Sequence, residues 1–240
     1  MSSPRAAVVL GASGSVGNAL IKELIQSRAC NPIVTLVRRS QPEQVARAKD
    51  AGVELREKQV ATMDPASLES ATLDAIASLT GDVVGLSVLG VGAGTAQLTL
   101  DEHRAIDVAL NAAFARALKA SGRVGHLAFM SAVGADPTAA TTGSGAAGMA
   151  RYARVKGEAE EAVKAVGPAV VSVFRPAMII GSQHTPWLLE KTLPLLSFIT
   201  PGKYKSISVE QIAKAMVATS LHPPTQSSLY HYPEMLALHR

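Results

Sequence analysis

Tyr152 and Lys156 stand four residues apart in the segment Met149-Ala150-Arg151-Tyr152-Ala153-Arg154-Val155-Lys156. On a helix that spacing puts both side chains on one face. A free tyrosine ionises near pH 10 and exchanges protons poorly at neutral pH. A neighbouring ammonium favours the phenolate and so makes the phenol a better acid–base group. The pair is suited to moving a proton to or from a substrate oxygen. Ser131 ends the apolar run Val124 to Met130. A hydroxyl at that point could hydrogen-bond a carbonyl oxygen, although serine is also a common residue for opening a turn.

A second constellation is Gly11-Ala12-Ser13-Gly14-Ser15-Val16-Gly17, placed between an apolar run and an amphipathic one. Glycines here allow a tight turn, let the backbone approach a pyrophosphate and let the following helix pack on the strand. The helix start then offers unpaired N–H groups and a positive dipole end to phosphates. Arg38 and Arg39 follow the second apolar run. An acidic residue there would hold the 2′-hydroxyl of NAD, whereas arginine accommodates the 2′-phosphate of NADP. NADPH is therefore the expected cofactor. Leu89-Gly90-Val91-Gly92 keeps the small residues that let backbone pass close to it.

These residues need a scaffold, and the pattern of the chain supplies one. Ala6 to Leu10, Ile33 to Val37, Val53 to Arg56, Val83 to Leu89, Val124 to Met130 and Val170 to Phe174 read as strands. Val16 to Ser27, Glu43 to Asp50, Pro65 to Leu79, Thr95 to Ala120, Met149 to Val166 and Val209 to Leu221 read as helices. Alternation of this kind predicts an α/β fold: a Rossmann-type, doubly wound parallel sheet with helices on both faces. Asp64 before Pro65 and Ser208 before Val209 are expected helix N-caps. Gly134 to Gly148 lacks periodicity and is expected to be a flexible loop. Residues 182–206, with 222–240, are expected to form a small C-terminal substrate lobe on a single domain spanning 1–240. His184 and Trp187 are candidates to line its pocket.

Composition narrows the function classes. A chain of 240 residues with 48% hydrophobic content can bury a full core. One cysteine, Cys30, excludes an internal disulfide and suits a reducing, cytoplasmic setting. A net charge of +4 without a basic block gives no case for nucleic acid. No secretory signal is expected at the N-terminus. The apolar stretch Val83 to Leu100 is interrupted by glycines and is poor material for a membrane span. No metal site is expected.

Taken in order, Gly11-x-x-Gly14-x-x-Gly17, Ser131 and Tyr152-x-x-x-Lys156 resemble the short-chain dehydrogenase/reductase superfamily over nearly the whole chain. Phe174-Arg175-Pro176 with Gly181 is similar to the segment bordering the nicotinamide in its extended and atypical members. More narrowly, His126 to Ser131, Gly134-Ala135-Asp136, Tyr152 to Glu158 and Ser172 to Pro176 resemble the atypical group containing the human Tat-interacting protein 2 oxidoreductase. The resemblance implies Ser131, Tyr152 and Lys156 as catalytic residues. It implies cofactor contacts from Gly11, Ser13, Gly14, Ser15, Val16, Gly17, Arg38, Arg39, Leu89, Gly90, Val91, Tyr152, Lys156 and Pro176. Ala61 stands where many members hold adenine with an Asp. The usual relay asparagine has only Asn111 or Asp107 as stand-ins. The expected activity is NADPH-dependent reduction of a small-molecule carbonyl, or the reverse. Alternatives are an NADPH-binding redox sensor without turnover and a sugar-nucleotide epimerase or dehydratase, for which the chain is short. A homodimer or protein partner is left open.

Overall fold

Seven strands form one parallel sheet in a computed structural model that describes residues 5–92, 97–141, 147–181 and 202–238. The strands are β1 (Ala6–Leu10), β2 (Ile33–Val37), β3 (Leu55–Gln59), β4 (Val83–Ser87), β5 (His126–Met130), β6 (Val170–Phe174) and β9 (Ser228–Tyr230), with β7 (Ile179–Ile180) and β8 (Ile207–Ser208) pairing apart. Their order is β3-β2-β1-β4-β5-β6-β9. The chain therefore winds outward from β1 through β2 to β3, then returns to β4 and winds the other way. That reversal leaves a crevice beyond the carboxyl ends of β1 and β4, where doubly wound sheets bind ligands.

Burial follows from this topology. All five residues of β1 are buried, as are all five of β2 and of β4, because helices cover both faces. One face packs on α1 (Ser15–Ser27), α2 (Pro42–Asp50) and α7 (Val209–Leu221), with a core of Leu20, Ile21, Leu24, Ile212 and Met216. The other packs on α3 (Pro65–Ala77), α5 (Asn111–Ala120) and α6 (Ala147–Val166), with Leu68, Ile76, Phe114, Leu118 and Val163 inside. The expected caps form: the Asp64 carboxylate accepts Ser67 N–H at 2.9 Å, and Ser208 Oγ accepts Gln211 N–H at 3.2 Å. The short α8 (Tyr232–Ala237) ends the described chain.

Two expectations need correcting. β3 lies at Leu55–Gln59 rather than Val53–Arg56. Val53 is buried and its N–H closes the end of α2 on Ala48 O, so an edge strand of Leu-Arg-Glu-Lys-Gln pairs instead. The Thr95–Ala120 helix starts at Leu100 as α4 (Leu100–Arg104), where Thr99 and Glu102 form a capping box, and Thr95 lies outside the described residues. It passes through a π-helical turn at Ala105–Leu110 before α5, the kind of inserted turn often found at functional sites. Within the expected C-terminal lobe, Ser228–Tyr230 pairs with β6 as the seventh strand of the sheet. Most of the remaining expected lobe, with His184 and Trp187, lies outside the described residues.

Candidate active site

The glycine loop runs from the end of β1 into the start of α1. Gly11 has φ +89°, and a Cβ there would stand 2.6 Å from Leu89 N. At Gly17 a Cβ would stand 2.7 Å from the Ala12 carbonyl carbon. The fold itself therefore requires these two glycines. Gly14 differs: its φ is −73°, and an added Cβ would meet nothing closer than Gly11 O at 3.7 Å. What glycine preserves at position 14 is open space in front of the helix N-terminus, as a phosphate cradle needs. Ser13 and Gly14 are exposed and Ser15 is half-buried, while the Val16 side chain is spent on the core.

A groove of about 490 Å³ leads from this cradle, lined by Gly11, Ala12, Ser13, Arg38, Arg39, Gln41, Met63, Leu89 and Ile106 among others. Arg38 and Arg39 are exposed and take part in no ion pair among the described residues. Glu57, on the neighbouring strand β3, is occupied by the Ser40 hydroxyl and the Gln41 N–H. Met63, not Ala61, supplies the side chain after β3. Gln41 and Met63 carry no sequence signal because they are generic side chains at loop positions, and Ile106 carries none because an apolar residue inside a helix reads as core.

Two helical stripes with a period of four meet beyond β4. One carries His103, Asp107 and Asn111; the other carries Tyr152, Lys156 and Glu160. His103 stacks on the Tyr152 ring, with centroids 5.9 Å apart and planes at 18°. Asp107 Oδ1 lies 2.6 Å from Lys156 Nζ, and both side chains are buried. Lys156 Nζ is 5.7 Å from the Tyr152 ring centroid. Burial, the largest influence, works to discharge Lys156, but Tyr152 and Asp107 outweigh it and hold the ammonium above its ordinary range. Burial likewise pushes His103 below the usual histidine range, against the opposing pull of Asp107. Asn111 ties the helix to the end of β4: it accepts the Ser87 hydroxyl at 2.5 Å and donates to Leu89 O at 3.3 Å.

Ser131 follows the last residue of β5. It is buried, and its hydroxyl donates to Glu160 Oε1 at 2.5 Å. Arg175 grips the same carboxylate with Nε and a terminal nitrogen, each at 2.7 Å. Glu160 lies two helical turns beyond Tyr152, about 12 Å of rise. The structure brings Tyr152 and Lys156 together and hydrogen-bonds Ser131 to the Glu160 carboxylate that Arg175 also holds. Pro176 is buried, and its carbonyl accepts Val133 N–H at 2.8 Å. The expected flexible loop is anchored over its described part, since Asp136 N–H donates to Ala153 O and Arg154 donates to Ala139 O. Residues 142–146 lie outside the described residues.

The profile of the NAD(P)H-binding family matches residues 11–223, from the first glycine of the cradle to beyond α7. This chain belongs to that family. Its fold is that of the short-chain dehydrogenase/reductases. A short-chain dehydrogenase/reductase from Serratia marcescens superposes with a TM-score of 0.68 at 18% identity, covering 95% of this chain and 97% of that one. Gre2 from Candida albicans, solved in complex with NADPH, gives a TM-score of 0.66 at 15% identity, covering 95% of this chain and 78% of that one. ChuY, an anaerobilin reductase from Escherichia coli O157:H7, gives 0.60 at 14% identity, covering 95% and 98%. No curated protein matches the chain. The narrower likeness to the group of the human Tat-interacting protein 2 rests on the quoted segments alone. Among the described residues, no helix is long and apolar enough to cross a membrane and no group of three His, Cys, Asp or Glu could hold a metal.

Proposed function

We propose that this member of the NAD(P)H-binding family is an NADPH-dependent oxidoreductase that reduces a small-molecule carbonyl compound, or runs the reverse oxidation, in a single domain. The observation that carries the reading is the placement of Lys156. Its ammonium lies against Gly90, on the wall that continues from the glycine cradle, and within reach of the Tyr152 ring. A cofactor lying from Arg38 and Arg39, across Gly14, to Gly90 would end beside the tyrosine. Arg38 and Arg39 would pair with a 2′-phosphate as charged hydrogen-bond donors. When bound there, NADPH would supply a hydride.

Tyr152 delivers the matching proton. Its O–H bond breaks as the carbonyl oxygen takes the proton, the carbonyl carbon takes the hydride, and the product is the alcohol. Lys156 supports the phenolate left behind and holds the ribose end of the cofactor. Pro176 contributes backbone to the nicotinamide side. Ser131 acts at a distance, by fixing Glu160 and hence the α6 register. A second reading, an NADPH-binding regulatory protein without turnover, is favoured by one feature: the Ser131 hydroxyl donates to Glu160 rather than towards Tyr152.

Cofactor choice is tested by fluorescence titration of wild type and Arg38→Ala with NADPH and NADH. A lost charged hydrogen bond costs about 1.5–3 kcal/mol, so Arg38→Ala should weaken NADPH at least about tenfold and leave NADH nearly unchanged. Equal affinity of the wild type for both cofactors would refute the NADPH assignment.

A further inference from the structure

Lys156 Nζ is enclosed, with the side chain 3% exposed, and a buried ammonium is stable only beside a compensating charge. The charged and titratable groups around it come from two elements. From α6 come Arg151, Tyr152 and Glu160; from α4 and the π-helical turn come His103 and Asp107. Glu160 is already gripped by Arg175 through two bonds and by the Ser131 hydroxyl. Arg151 adds positive charge, and burial favours the neutral form of His103. Asp107 is the carboxylate left for the task.

Its geometry is fixed on both oxygens. Oδ1 faces Lys156 Nζ at 2.6 Å, and Oδ2 accepts the Val91 N–H at 3.0 Å. The Asp107 side chain is fully buried, so it cannot swing to solvent without losing both contacts. The π-helical turn sets this aim, because it re-registers the helix between His103 and Asn111. Gly90 leaves room for the pair: a Cβ there would stand 2.8 Å from Lys156 Nζ and 3.1 Å from Asp107 Oδ1. The ion pair therefore lies flush against the wall that the proposed cofactor would cover.

We propose that Asp107 is a positioning residue of the active site: its carboxylate keeps the Lys156 ammonium charged and pinned against Gly90, facing the cofactor and Tyr152. The inference rests on the reductase reading for its purpose but not for its test. A purely structural contact would tolerate a neutral isostere. Asp107→Asn keeps the volume and an oxygen for the Val91 N–H while removing the charge. Asp107→Glu keeps the charge at the cost of fit.

The test is a pH titration of the cofactor-free protein carrying ¹³C-labelled lysine, with the Lys156 signal assigned by its loss in Lys156→Met. In the wild type Lys156 should remain an ammonium above the usual lysine range. In Asp107→Asn its midpoint should fall by at least about one pH unit, because burial then acts unopposed by its nearest anion. Asp107→Glu should restore more than half of that shift. Should Asp107→Asn fail to fold, as judged by circular dichroism, Gly90→Ala provides the second arm. Its methyl group must part the pair and should move the midpoint in the same direction. NADPH affinity at pH 8 should fall about tenfold in Asp107→Asn, a loss of about 1.4 kcal/mol. A Lys156 midpoint unchanged within about 0.2 units in both Asp107→Asn and Gly90→Ala overturns the inference. A protein that shows the shift yet binds no nicotinamide nucleotide upholds it and removes the reductase reading instead.

Discussion

Gly14→Ala separates a glycine needed for a ligand from one needed for the fold. At position 14 the backbone has φ −73° and ψ 171°, which alanine adopts freely, and the new Cβ meets nothing nearer than 3.7 Å. Alanine is a poorer N-cap than glycine, which costs a few tenths to about 1 kcal/mol. The smaller entropy of its unfolded chain returns about 0.4–1 kcal/mol. The two nearly cancel, and the melting temperature should move by no more than a few degrees. Binding should behave otherwise. A methyl group in front of the helix N-terminus would displace a phosphate from N–H donors worth about 1.5–3 kcal/mol each when charged. Loss of one such contact lowers NADPH affinity about 10–150-fold. Gly17→Ala is the control, since its Cβ would stand 2.8 Å from Ala12 Cα and must strain the turn by about 1–3 kcal/mol. Calorimetric melting and fluorescence titration of the three proteins read both quantities. A Gly14→Ala protein that binds NADPH as tightly as wild type would refute the cradle argument.

Two stability predictions follow from buried charge. Glu160→Gln leaves Arg175 partly buried without its carboxylate and should cost about 3–5 kcal/mol in a urea melt, whereas a loss below about 1 kcal/mol would show that the clamp contributes little. Burial lowers His126 from 6.5 to about 4, so its neutral form is the folded one. The unfolded chain then binds the extra proton between these values, and stability is full above pH 6.5 and falls as pH drops toward 4. The loss amounts to about 3 kcal/mol across that window. His126→Asn should flatten this slope, and an unchanged slope in urea melts from pH 7 to 4 would refute it.

How far the sequence foretold this molecule depends on the kind of signal. Strands β1, β2 and β6 were legible to the residue because buried parallel strands read as mostly apolar, β-branched runs, and the caps at Asp64 and Ser208 were legible because their chemistry is local. β3 was misplaced because an edge strand carries polar residues and no clear alternation. β9 escaped notice because three residues pair only through a partner far along the chain. In the site, Tyr152 and Lys156 were legible from spacing on one helix. His103 and Glu160 were not, although both extend period-four polar stripes, 103-107-111 and 152-156-160, through helices otherwise rich in alanine and valine. Ser131 was assigned by its place after β5, but its partner was decided by Arg175, which brings Glu160 to it across the β5–β6 ends. Such a choice depends on three residues at once, and spacing along one element cannot express it.

The central claim is that Tyr152 delivers a proton to a carbonyl oxygen beside bound NADPH. The direct measurement is single-turnover oxidation of enzyme-bound NADPH, followed at its absorbance, against a panel of aldehydes, ketones and quinones, for wild type and Tyr152→Phe. General acid catalysis contributes about 10²–10⁴-fold, so Tyr152→Phe should lose that factor on every accepted substrate while binding NADPH as the wild type does. Turnover by Tyr152→Phe at the wild-type rate would contradict the account, and tight NADPH binding by a wild type that reduces no carbonyl would transfer it to the regulatory reading.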